Sequence, residues 1–192
     1  EEDVDYIYCE AFEDTGIGNA IMNRLEKAAG HHMIRAKEIT RLQKYRRILF
    51  VSIGDNCRGP MAAELLRNQQ LHREYEIGSR GMVVLFPEPA NQKAEAIMRS
   101  QQMTLEAHVA TQFEEADLTD DTLVLTFEEN QKWKIVSEYR NVKNVYTLNE
   151  YIEDDRLVPS AHGQPLNVYG ENFELLRELI IKLAEKLNRE AN

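Results

Sequence analysis

Cysteine is scarce in this chain: Cys9 and Cys57 are the only two in 192 residues. That excludes a disulfide framework and a thiolate zinc cluster, and it suits a reducing cytoplasm, so a cytoplasmic location is expected. Long apolar runs are missing too. None approaches the roughly 18 residues needed to span a bilayer, and Glu1, Glu2 and Asp3 are the opposite of a basic signal segment. Basic residues are outnumbered, 23 Lys and Arg against 33 Asp and Glu, giving a formal net charge of −10. Such a chain repels nucleic acid and anionic membranes at long range, so neither is an expected partner. An anionic ligand has to be held by a local site that overcomes the overall field. The adjacent pair His31-His32 points apart on either a helix or a strand and has no accompanying ligand cluster, so no metal and no other cofactor is expected. The chain opens on Glu1 rather than Met, which makes a missing attached domain an expectation alongside a separate protein partner.

Apolar residues make up 43% and charged residues 29% of the chain, proportions that allow a packed core under a solvated surface. The first 46 residues read as a small β/α extension. Val4 to Cys9 has a strand's alternation, and Ile17, Ala20, Ile21, Leu25 and Ala28 share one helical face that Gly30 ends. A second, basic and partly helical stretch holds Ile34, Ile39 and Leu42. One strand and two helices of this size cannot bury a core alone, so residues 1–46 are expected to pack on a main domain, 47–192. There the pattern alternates. Strands are expected at Ile48-Leu49-Phe50-Val51, 76–79, 122–127 and 144–147. Helices are expected at 61–70, 90–102, 129–139 and 172–187. This order predicts a three-layer α/β/α fold on a four-stranded parallel sheet, plus the N-terminal extension.

One loop carries chemistry. Ser52-Ile53-Gly54-Asp55-Asn56-Cys57-Arg58-Gly59-Pro60 runs from a buried strand into a helix, an arrangement whose successive backbone N–H groups and helix N-terminus suit phosphate. Ile53, Gly54, Asp55, Asn56, Cys57 and Arg58 are the expected phosphate-binding residues. Gly54 is assigned the turn, Pro60 the first turn of the helix, and Arg58 the two-pronged grip on oxyanion oxygens. Asp55 is expected to set a negative charge beside the anion and weaken its binding.

From Val51 to Ala62 the chain resembles the V-C-x-G-N-x-C-R-S-P-M-A pattern of low-molecular-weight protein tyrosine phosphatases, a family that includes bacterial protein arginine phosphatases. The likeness continues through Ser79-Arg80-Gly81, Asp121-Thr122-Leu123-Val124-Leu125 and Val145-Tyr146-Thr147-Leu148-Asn149-Glu150-Tyr151. The resemblance implies a phosphoric monoester hydrolase with Ser52 at the nucleophile position and Arg58 as the anion-binding arginine. It also implies a general acid at Gln164 or Asn167, depending on the register of the late loop. Four departures stand out. Ser52 replaces the reactive cysteine, whose thiolate the chemistry needs. Gly59 replaces a hydroxyl residue, Asp55 an asparagine, and an amide the acid, which an amide cannot replace as a proton donor. Cys57 cannot substitute as nucleophile, because Ala63 lies where its own arginine would be. His162 is either a proton donor or an ordinary loop histidine, and Tyr169 either a pocket wall or a packing residue. Arsenate reduction, known on the same fold, would need further cysteines.

The expected function is therefore a catalytically inactive pseudophosphatase, of bacterial type, that keeps its loop and acts by binding phosphate or a phosphorylated protein side chain. The alternative is an active phosphotyrosine or phosphoarginine protein phosphatase in which Ser52 is an engineered Cys→Ser trapping substitution.

Overall fold

The structure, a computed structural model, describes residues 21, 24, 25, 27, 44–140 and 142–191. The chain divides into two compact units, residues 1–42 and 43–192. In the first, Ile21, Arg24, Leu25 and Lys27 are helical, where the apolar spacing predicts a helix. The expected strand at Val4 to Cys9, His31-His32 and the packing of residues 1–46 on the main domain lie outside the described residues.

The second unit runs β1 (Arg47–Ser52), α1 (Arg58–Arg67), β2 (Glu76–Gly81), α2 (Gln92–Ser100), β3 (Thr122–Thr126), α3 (Glu129–Glu138), β4 (Val145–Thr147), α4 (Leu148–Ile152) and α5 (Leu166–Glu190). The four strands form one parallel sheet in the order β2-β1-β3-β4. Successive side chains of a strand face opposite ways, and the core divides accordingly. Ile48, Phe50, Leu123 and Leu125 bury against Met61, Ala62, Leu65 and Leu66 of α1 and Phe173, Leu176, Ile180 and Leu183 of α5. Val51, Val124 and Val145 bury on the other face against Ile135 of α3 and Phe113. This is the α/β fold that the alternating pattern predicts.

Two boundaries differ from the expectation in ways that matter for the site. Helix α1 begins at Arg58, three residues early, so the arginine is its first residue rather than part of a preceding loop. Helix α5 begins at Leu166 instead of 172. Gly170 reads as a poor helix former, yet Tyr169, Asn172 and Phe173 are all buried and carry the inward stripe through it. The short α4 has no expectation behind it. It is nucleated by a capping box in which Thr147 accepts from the Glu150 amide and Glu150 from that of Thr147.

Candidate functional site: an anion loop above β1

The loop between β1 and α1 sits at the carboxyl end of the parallel sheet, the end at which open α/β sheets bind ligands. Its carbonyl groups are turned outward. Ser52 O accepts from Met82 N (2.9 Å), Ile53 O from Val83 N (2.9 Å), Asn56 O from Asn91 N (2.7 Å), and Cys57 O from Met61 N (3.1 Å). His108 Nε2 donates to Asp55 O (2.5 Å). The amides of Ile53 to Cys57 make no hydrogen bond among the described residues. A loop that spends its acceptors on the scaffold and keeps consecutive donors is an anion nest.

The left-handed residue that makes this curl is Asp55, with φ of 53°, and not Gly54, whose φ is not positive. A Cβ added at Gly54 would meet nothing closer than the Asn56 side chain at 3.8 Å. Asp and Asn tolerate that backbone region better than other residues with side chains. The glycine the loop depends on is Gly81 at the end of β2, where a Cβ would lie 3.0 Å from Gly54 C and 2.5 Å from Val84 Cγ2.

The Asp55 side chain does not line the cavity above the loop, whereas the sequence-based expectation set its charge beside a bound anion. It is fully buried under the loop. Oδ2 accepts from Thr111 N (3.0 Å) and lies 3.6 Å from His108 Nε2, while Oδ1 makes no hydrogen bond. Burial raises its pKa, opposed by the neighbouring Ser79 hydroxyl, the Thr111 amide and His108. Gly59 shares this space: a Cβ there would be 3.1 Å from Ser79 Cβ and 3.2 Å from Asp55 Oδ1. The two departures at positions 55 and 59 are thus neighbours in one packed spot.

Arg58 is buried and held by two protein acceptors. Nη1 donates to Val158 O (2.9 Å), Nη2 to Glu128 Oε1 (2.6 Å), and Cζ lies 5.2 Å from the Phe127 ring centre. Glu128 follows β3 and precedes α3. Sequence reasoning missed it, and its only signal is its place just past the carboxyl end of a central strand.

A cavity of about 310 Å³ opens on the loop, lined by Ser52, Ile53, Gly54, Asn56, Cys57, Arg58, Asn91, Ser160, Ala161, His162 and Tyr169. Among the described residues, no carboxylate lines it. Tyr169 does face the cavity and packs in the core as well, so both readings of it describe one position. Neither Gln164 nor Asn167 reaches the cavity. Gln164 is exposed and its carbonyl accepts from Lys93 Nζ (2.5 Å), and Asn167 is exposed in the first turn of α5. The late-loop residues that do reach it are Ser160, Ala161 and His162. The earlier start of α5 explains the shift, because it pulls 166–171 out of the loop. Cys57 lines the cavity, and burial pushes its thiol up to about 11 despite the adjacent Arg58, so at neutral pH it is no thiolate.

A loop, an arginine and a parallel sheet in this arrangement can be compared with known proteins. Residues 47–192 match the family model for low molecular weight phosphotyrosine protein phosphatase, and the chain belongs to that family. It is 33% identical over 146 residues to a protein-arginine-phosphatase of Geobacillus stearothermophilus, covering 75% of this chain and 97% of that one. A low molecular weight protein tyrosine phosphatase from T. tengcongensis superposes with a TM-score of 0.68 at 32% identity, covering 73% of this chain and 99% of the other. A YwlE arginine phosphatase mutant with a phosphorylated active-site serine superposes at 0.66 with 28% identity, covering 73% and 95%. Residues 1–30 are similar to a different model, the C-terminal domain of threonylcarbamoyl-AMP synthase.

Proposed function

We propose that this protein is a catalytically inactive member of its family that binds phosphate or a phosphorylated protein side chain through residues 53–58. One observation carries the reading. The cavity keeps the binding parts, free loop amides and a clamped arginine, while among the described residues its walls hold neither a carboxylic acid nor a thiolate. Proton donation to the leaving group has no carboxylic acid to serve it, and nucleophilic attack no thiolate. The test is thermal unfolding with phosphate or vanadate. Stabilisation that disappears in Arg58→Ala, with no turnover of an aryl phosphate, is expected; turnover abolished by Arg58→Ala would instead show an enzyme.

A second reading is favoured by the relative that carries phosphate on a serine in its active site. Ser52 stands at the corresponding end of the loop, lines the cavity and could take up a phosphoryl group without releasing it. The similarity of residues 1–30 to a domain of another enzyme supports an attached domain as the partner of the phosphatase-like unit.

A further inference from the structure

Which donor Ser52 would take its phosphoryl group from depends on the leaving group. A departing phenolate has a conjugate acid of pKa about 10 and a guanidine one above about 12, so each leaves readily only when protonated. The cavity offers little for that task. Cys57 is pushed up to about 11 and Tyr169 is raised by burial; among the described residues no carboxylic acid lines the cavity, and its one imidazole, His162, is exposed to solvent. A carboxylate, with a pKa near 4, departs without a proton.

We infer that Ser52 is a phosphoryl acceptor served by acyl phosphates, and that the phosphoserine formed is retained. The inference rests on the second reading above and on the anion loop of the first. In the step, the Ser52 Oγ–P bond forms as the acyl P–O bond breaks, and the carboxylate leaves with the electron pair. The hydroxyl proton passes to water. The loop amides and Arg58 face the charge that develops on the transferring oxygens. Reversal to water stalls for the same reason that phenolates are poor donors: the serine alkoxide would have to leave unprotonated. A phosphoryl group on Ser52 fills the nest, so acyl phosphate closes the loop to other anions.

The test incubates the full chain with acetyl phosphate and follows intact mass and the modified residue. The expected result is one added phosphoryl group on Ser52, absent in Ser52→Ala and sharply reduced in Arg58→Lys, with no phosphate released over the labelling time. Labelling from phenyl phosphate or phosphoarginine should be slower by about a hundredfold, the scale of a missing general acid. Labelled protein should no longer be stabilised by inorganic phosphate. No adduct on protein that phosphate still stabilises overturns the inference and leaves the binding reading intact. No adduct and no stabilisation overturns both. An adduct that turns over, or one on another residue, also overturns it.

Discussion

At Asp55 a left-handed backbone and a buried carboxylate coincide. An acid whose folded pKa is raised holds its proton more tightly in the native state than in the unfolded one. Stability is then lost as pH rises from the ordinary carboxylate range through the folded pKa. Asp55→Asn keeps the tolerated backbone and removes the buried charge, so it should raise the melting temperature at pH 7, with a gain that shrinks as pH falls from the folded pKa towards the ordinary carboxylate value of about 4 and is absent below it. A gain independent of pH would show that ionisation of Asp55 costs nothing. Gly81→Ala should destabilise the unit by about 1–3 kcal/mol and weaken phosphate binding, since the added methyl must displace the loop itself. Gly54→Ala, with open space around it, should cost far less; chemical denaturation of the two variants side by side decides this. Glu128→Gln should lower phosphate affinity by roughly tenfold, or about 1.4 kcal/mol, by freeing the Arg58 guanidinium, with little change in stability. Isothermal titration reads it. Ser52 and Arg58 were legible from the motif, because spacing along one loop is local. Glu128, Val158 and His108 were not, because they meet the loop from distant stretches of chain.

Elements follow from period and from what caps them. Strands β1 and β3 are continuous apolar runs because both faces are covered, and each was readable for that reason. Strand β2 is half-exposed at the sheet edge, and its outer carbonyls are occupied: Arg67 Nη2 donates to Ile77 O (2.5 Å) and Arg80 Nη1 to Ser79 O (2.9 Å). Side chains placed this way blunt an edge that would otherwise pair with another chain. The inward stripe of α5 is the largest single contribution to the core on its face of the sheet. Leu183→Ala there should cost about 2–5 kcal/mol in urea unfolding, as for other buried leucines. Helix α5 starts earlier than the expected 172 because burial of Tyr169 on one side of Gly170 and Phe173 on the other keeps the helix intact.

On the scale of the whole molecule, the sheet brings three separate segments to one cavity: the loop after β1, Asn91 before α2, and 160–162 before α5. This assembly specifies where an added general acid would reach the loop. Ser52→Cys combined with Ser160→Asp should recover aryl phosphate hydrolysis, and the acid should contribute about a hundredfold or more over Ser52→Cys alone. Ser52→Cys with Gln164→Asp or Asn167→Asp should not show that contribution, since neither position reaches the cavity. Equal recovery in all three would mean that the late loop rearranges when substrate binds. The sequence by itself determined the parallel α/β class, the loop that resembles the family's phosphate loop and the serine at its first position, because each is written in residues adjacent along the chain. Only the tertiary structure decided that Asp55 faces inward under the loop, that Glu128 clamps Arg58, and that 160–162 rather than 164 or 167 close the pocket. Those depend on where separate strands and helices end in space, and helix ends are set by burial of distant side chains as much as by local propensity.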